Sequence, residues 1–533
     1  MSELLFHYNA VHPTTWVYLS SLLMIGLYFK FSRFWSVRNI DLVLLILLSP
    51  GLLLVHFGER IMADGDTTNS GASSEAPAAN ATTSERPEQP FSAVAATTVT
   101  DHSRAANKAD LVEADSAKVP AAIESVTPDS TAPGNPDDPP IASLAPAVIQ
   151  PPRGQSLVLV GYVWLLSISG VFMLRMLLDP MMVRRPLLEP NLSTGGLVFL
   201  GCSLLVFLMA NVVNSPVTNA DLQGPRSADQ LLSRIDKGQQ DLGRHGPGNA
   251  LLHFIPSLVT NPLHWRVTPS SSALRYLRIA KTMAVLSNLA IVLGIVLTGY
   301  RHFGSIKMGL GAATLYLMLP YNVLMAGHVT HVLPAALLVW AVLCYRRPLW
   351  AGMFIGMSIG VVYYPLFLLP LWISFYWQRG LMRFLSGVGA MLLLTLGSLV
   401  FISADVADYW SKVRELFGIW LPTMKGLEGV WGLGWEPVYR YPVLAAFFAV
   451  SGALALWPAQ KNLGTLLSCS AAIMLATQFW HGHGGGLFMA WFLPLTLLTI
   501  FRPNLEDRVA LSVLGEGWFP RRKMRISNID LAA

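Results

Sequence analysis

The sequence predicts an all-α polytopic membrane protein of about thirteen transmembrane segments, interrupted by a disordered extracytoplasmic spacer. Three observations carry this expectation. Hydrophobic residues make up 53% of the 533 residues and charged residues only 13%, against roughly a quarter charged in soluble domains. Apolar runs close to the ~20 residues that cross a bilayer recur along the chain. Lys and Arg collect at alternate ends of those runs, as short cytoplasmic loops require.

Residues 1–58 hold the first two runs, at about 14–32 and 40–57, and read as an amino-terminal transmembrane hairpin. No basic stretch precedes the first run, while Lys30 and Arg33 follow it, the pattern of a retained reverse anchor and not of a cleaved signal. Residues 59–154 are rich in Ala, Pro, Ser and Thr, with tracts such as GASSEAPAANATTSERPEQP and GNPDDPP. A segment with so few apolar residues cannot bury enough surface to offset its ordering entropy, so a disordered spacer is expected there.

Residues 155–503 read as the multispanning bundle, with runs near 156–178, 194–213, 276–299, 305–326, 328–345, 381–403, 441–458, 463–479 and 486–500. The stretch 349–378 is decided by charge. One helix across it would carry Arg379 and Arg383 outside, whereas two short helices turning at Tyr363-Tyr364-Pro365 keep them inside with Arg346, Arg347 and Lys461. This topology puts the amino terminus outside and the carboxyl terminus inside a cell's inner (plasma) membrane. Residues 504–533 then form a basic cytoplasmic tail, with apolar residues between its charges, resting on the anionic inner leaflet.

Cys202, Cys344 and Cys469 each fall within an apolar run, which leaves neither a disulfide framework nor a CxxC metal site. The net charge of +6 lies in the loop-end clusters that topology already explains, so nothing points to nucleic acid. In the external loop 214–275, a short surface helix is expected with Ser227 or Asp229 as cap and Leu231, Leu232 and Ile235 at helical spacing. A second loop, 404–440, carries Tyr409, Trp410, Trp420, Trp431, Trp435 and Tyr439, read as bilayer anchors or as a surface that stacks on sugar or headgroup. Asp405 and Asp408 in that loop read as the polar side of an interfacial helix.

Between Leu319 and Arg383 a series of landmarks recurs at helix ends: Pro320, the turn Gly327-His328-Val329-Thr330-His331, Arg346-Arg347, then Gly352, Gly356 and Gly360, Val362-Tyr363-Tyr364-Pro365 and Pro370. This series resembles the polyprenol-phosphate-sugar-dependent glycosyltransferases of the C superfamily, most nearly the bacterial mannosyltransferase-like family 87. Those proteins have Gln where His328 stands and Lys where Val362 stands. The resemblance implies a membrane-embedded transferase that moves a sugar, mannose in the nearest family, from a polyprenyl-phosphate lipid to an envelope acceptor at the extracytoplasmic face. Glycan, lipid or protein acceptors are all open.

Such a reaction needs a carboxylate base for the acceptor hydroxyl and cations for the departing phosphate. The resemblance implies an Asp in an early external loop. Asp221, in Asn219-Ala220-Asp221-Leu222, is the candidate, with Asp229 and Asp236 behind it; a solvated or capping role is the structural alternative. Arg275, Arg278 and Lys281, three apart at the outer end of a span, read either as a donor-phosphate clamp or as headgroup-snorkelling side chains. His328, His331, Tyr363 and Tyr364 are candidates for contacts with substrate. His328 and His331, with His481 and His483, also have spacings open to a divalent metal, to hydrogen bonding with phosphate or acceptor, or to packing; no cofactor is demanded. Two other functions remain open: a non-catalytic membrane scaffold, and a lipid or solute transporter.

Overall fold

The computed structural model describes residues 12–72, 153–182, 188–233, 246–260, 269–417, 426–458 and 461–503. Asp236, Trp420, most of the spacer and the tail 504–533 lie outside the described residues, as do the expectations made for them. Among the described residues the chain is helical, with no strand. The amino-terminal pair is α1 (Pro13–Tyr28) and α2 (Val37–Ala72), followed by α3 (Arg153–Leu178) and α4 (Thr194–Asn214). Two short helices, α5 (Asn219–Ser233) and α6 (Pro247–Thr260), occupy the first long loop. Next come α7 (Pro269–His302), α8 (Ile306–Met318), α9 (Pro320–Met325), α10 (Val329–Leu343), α11 (Pro348–Val361), α12 (Leu369–Tyr376) and α13 (Leu381–Ile402). The last four are α14 (Val406–Phe417), α15 (Arg440–Leu456), α16 (Leu463–Trp480) and α17 (Leu493–Phe501).

Seven of these helices are long and apolar enough to cross a membrane, with spans of 18 to 30 residues. Burial sorts them into layers. In α16, 94% of the apolar window is buried, against 22% in α4 and in α15. α16 is therefore the centre of the bundle, while α4 shows apolar side chains such as Phe199 and Val206 outward, as a lipid-facing helix does. Cys344 and Cys469 are buried and Cys202 is exposed on α4.

The structure departs from the predicted elements at four places, each with a local cause. α2 runs past residue 58 to Ala72, because Gly58 and Met62 pack on Gly154 and Val158 of α3, and that contact extends the helix. The run 305–326 is cut at Leu319, where Pro320 brings no N–H for the preceding turn and restarts the chain as α9. The run 486–500 passes through a 3-10 turn, Met489–Trp491, and becomes α-helical only at Leu493: Gly484 and Gly486 have φ of 78° and 94°, and the amides of Gly486 and Phe488 donate to Gln478 Oε1 instead of a helix ladder. In the first long loop the helix starts at Asn219, eight residues before Ser227, because Thr218 caps it and Asp221 reaches back to the Thr218 amide at 3.3 Å. The stretch 349–378 is divided into α11 and α12 around a 3-10 turn, Tyr364–Leu368, with Pro370 in the first turn of α12, where no helix donor is lost.

Two features hold the bundle together. Gly352, Gly356 and Gly360 of α11 face α13 and Thr395 so closely that backbones touch. Where α2 begins and α3 and α17 end, Asp41 and Asp179, both fully buried, share Arg175, with Asp41 Oδ1 to Arg175 Nε at 3.0 Å and Asp179 Oδ1 to Arg175 Nη1 at 2.9 Å. Arg502 approaches Asp179 at 3.6 Å, and Arg38 donates to the Arg502 carbonyl. The hairpin helices belong to the same core: the Tyr28 hydroxyl donates to the Gly311 carbonyl, and Trp16 stacks on Phe207 at 5.1 Å.

Candidate functional site

A cavity of about 1050 Å³ opens among the loops at one end of the bundle. Its wall draws on segments far apart in the chain: Glu59 and Met62 of α2, Tyr162 of α3, Thr218, Ala220 and Gln223, then His328, Thr330 and His331, Val362 to Tyr364, Lys412, Glu428, and the turn after α16. Thr218, His328, Val362 to Tyr364, Glu428 and His481 reach it from helix ends and loops, while Glu59, Tyr162 and Lys412 reach it from within α2, α3 and α14. Gly246 fastens one such end, its amide donating to the Val361 carbonyl at 3.0 Å, while Gly248 lies against Gly360 with no room for a side chain.

His328 is the N-cap of α10 and lines this cavity. Its Nδ1 meets Asp221 Oδ2 at 2.9 Å. The same oxygen accepts from the Thr218 hydroxyl at 2.6 Å, and Oδ1 accepts from the Val329 amide at 3.2 Å. Asp221 thus does two jobs: it closes the start of α5 and it ties that helix to the start of α10. Burial raises its carboxyl pKa, but the hydrogen bond and charge of His328, with the Thr218 hydroxyl and amide, outweigh burial and leave it below the usual carboxylate range. The side chain is ionised and only 2% exposed.

The opposite wall is aromatic. Tyr363 and Tyr364 stack at 4.2 Å, Tyr364 lies 4.6 Å from His481, and Phe488 lies between His481 at 4.8 Å and His331 at 4.3 Å. His331 Nδ1 pairs with the Tyr321 hydroxyl at 2.7 Å. His481 Nδ1 accepts the His483 amide at 3.1 Å. The two histidine motifs, over 150 residues apart in sequence, therefore share one face through Phe488. No group of three or more His, Cys, Asp or Glu side chains is arranged to hold a metal among the described residues.

Of the eight sequence candidates, His328, His331, Tyr363 and Tyr364 line the cavity, and Asp221 stands directly behind His328. Arg275, Arg278 and Lys281 do not line it. α5 packs on α7 and brings Asp229 to Arg275 at 2.7 Å, where the Tyr276 hydroxyl also donates to it. Lys281 Nζ donates to the Val213 carbonyl, and Arg278 is exposed. Three-residue spacing puts these cations on one stripe of α7, but says nothing of which element covers that stripe.

Sequence reasoning missed Lys412 and the two carboxylates Glu59 and Glu428. Lys412 is the one lysine or arginine among the described residues of the cavity wall, held at 2.7 Å by Asp408 of its own helix. Its i,i+4 spacing from Asp408 was the available signal. Glu59 and Glu428 lie near enough for their charges to interact. No family model matches the chain, and no curated protein matches its sequence.

Proposed function

We propose that the chain is an integral membrane glycosyltransferase that moves a sugar from a polyprenyl-phosphate donor to a hydroxyl acceptor within this cavity. One observation carries the reading: His328, backed by the Asp221 carboxylate, and a lysine, Lys412, line one cavity of about 1050 Å³ in a bundle of membrane-length helices. The pair supplies the base for the acceptor hydroxyl, and Lys412 meets the phosphate. Tyr363, Tyr364, Phe488 and Trp491 offer flat apolar faces to the sugar or to the first isoprene units. The resemblance between Leu319 and Arg383 points to the same chemistry, with mannose the sugar it implies.

The topology that fits this reading has thirteen segments, the seven long helices together with α1, α8, α10, α11, α12 and α17. Followed alternately along the chain, they bring every cavity segment to one end and Lys30, Arg33, Arg301, Lys307, Arg346, Arg347, Arg379 and Arg383 to the other. The rule that basic loops stay inside makes the cavity extracytoplasmic in a plasma membrane. The buried charges Asp41, Arg175 and Asp179 are paired and do not line the cavity, which favours a transferase over an ion-coupled carrier.

The test is transfer of radiolabelled sugar from a polyprenyl-phosphate donor by purified full-length protein. Turnover that falls in Lys412→Ala, chiefly through a raised KM for the donor, is the expected result. A folded protein that neither binds nor turns over such donors would leave the scaffold reading in its place.

A further inference from the structure

We propose that His328 takes the proton from the acceptor hydroxyl, and that Asp221 is its positioning residue. The inference rests on the transferase reading and deepens it by assigning the base.

Asp221 is poorly placed to touch a substrate. It is 3% exposed and is not part of the cavity wall. Four donors already meet its two oxygens: the Val329 amide on Oδ1, and the Thr218 amide, the Thr218 hydroxyl and His328 Nδ1 on Oδ2. Oδ2 is thereby saturated, and Oδ1, though it keeps a lone pair, belongs to a buried side chain off the cavity wall, where an acceptor hydroxyl has no direct approach.

His328 stands between that carboxylate and the cavity, with its side chain 26% exposed. An ionised carboxylate only accepts hydrogen bonds, so Nδ1 must carry the hydrogen, and the neutral ring keeps its lone pair on Nε2. The backbone holds the ring in place. The His328 amide donates to the Met325 carbonyl at 3.1 Å, and its own carbonyl accepts from the His331 amide at 3.1 Å. The other wall histidines are built differently. His331 Nδ1 meets a tyrosine hydroxyl in place of a carboxylate, and its ring is 9% exposed and stacked on Phe488. His481 uses Nδ1 to accept a backbone amide.

In the transfer step the acceptor O–H proton passes to His328 Nε2 while the acceptor oxygen bonds to the anomeric carbon. The bond from that carbon to the phosphate oxygen breaks, its electron pair leaves with polyprenyl phosphate, and the imidazolium later gives its proton to water. The Asp221 charge stabilises the imidazolium in between. His331 lies 5.7 Å from the ring, and the other titratable groups of the cavity wall are Lys412 on α14, Glu59 on α2, Tyr162 on α3, Tyr363, Tyr364, Glu428, His481 and His483.

The experiment measures kcat and KM against pH for the purified full-length protein with a radiolabelled polyprenyl-phosphate sugar, using His328→Gln, His328→Ala and Asp221→Asn. Melting curves confirm that each is folded. His328→Gln, which has no titratable ring, should lose roughly 100-fold in kcat with little change in donor KM. Added imidazole should restore part of the His328→Ala rate. The acid limb of the wild-type profile should be absent from His328→Gln, and Asp221→Asn should lower kcat with little change in donor KM, because the ring loses the carboxylate that orients it. A His328→Gln enzyme with the wild-type rate and acid limb, beside a dead Asp221→Asn, would overturn the assignment while leaving the transferase reading intact. Wild-type protein that transfers no sugar from such donors would overturn both.

Discussion

Gly352, Gly356 and Gly360 recur every fourth residue along α11 and turn toward α13. A methyl group on Gly356 would stand 2.8 Å from the Val388 carbonyl oxygen and 3.0 Å from Met391 Cβ. Ordinary contact begins at 3.4 Å, so the approach is roughly 0.6 Å too close. The obstructing atoms belong mainly to a helix backbone, which cannot rotate aside as a side chain can. Gly352 is tighter, since its methyl would overlap the Phe384 carbonyl, and Gly387 on α13 is blocked in turn by the Leu349 carbonyl. Either helix must therefore move as a body.

Overpacking of this kind costs about 1–3 kcal/mol per inserted methyl. A Gly→Ala change in a helix also returns about 1 kcal/mol of propensity, which would mask part of the loss. Gly389 and Gly397, also in α13, supply the correction, because nothing lies within 4 Å of a methyl at either position. Gly389→Ala and Gly397→Ala gain propensity alone, so the difference between seam and control variants isolates the packing cost. Thermal unfolding in detergent, followed by tryptophan fluorescence, should place Gly352→Ala and Gly356→Ala below the two controls by about 1–3 kcal/mol each. Donor affinity should fall with them, because α11 ends in Val362-Tyr363-Tyr364 at the cavity wall. Seam and control variants melting together would refute the backbone contact.

Three further outcomes are expected. Asp41→Asn leaves Arg175 and Arg502 sharing Asp179 and the cluster one negative charge short, and should cost about 3–5 kcal/mol, read as a lowered melting temperature and a poor yield of folded protein. Tyr321→Phe removes the hydroxyl that pairs with His331 in a buried site and should cost about 1–3 kcal/mol in the same assay. Because the Asp221 carboxyl pKa is depressed by folding, its contribution to stability is complete above the unfolded carboxyl's value of about 4 and is lost as pH falls through the lower folded value. Melting temperature measured between neutrality and pH about 3 should therefore drop less steeply in Asp221→Asn than in wild type.

The helical class and the break near Pro365 were legible because composition, run length and basic loop ends act locally along the chain. The polar side of the site was legible in part. Asp221 and His328 are both recognisable as polar residues at the margins of apolar runs, yet nothing in either segment says that the two meet. Lys412 reads as half of an ordinary i,i+4 pair with Asp408, and Glu59 reads as the first residue of a spacer. Their place in the cavity follows from tertiary packing, which carries α2 beyond residue 58 along α3 and sets α14 beside the loops. The cations of α7 show the converse: their spacing is informative about a shared stripe, while Asp229, which meets one of them, comes from a helix that begins well before the expected caps Ser227 and Asp229.

The two ends of the bundle divide the ionic cluster from the cavity. At one end Asp41, Arg175, Asp179 and Arg502 bind the starts and ends of α2, α3 and α17 into an ionic cluster whose two aspartates are fully buried. Removing any member leaves charge uncompensated in a low dielectric, so this end resists rearrangement. At the other end the loops meet through a few glycines in left-handed backbone, Gly429 and Gly484 among them, with Gly484 packed against Gly429 so closely that Gly429 has no room for a side chain. Those glycines let the Glu428 segment and the His481–His483 turn approach closely, and both segments line the cavity. Substitution there should therefore reshape the cavity with the ionic end left in place, whereas damage to the ionic end should unfold the protein before its chemistry can be measured.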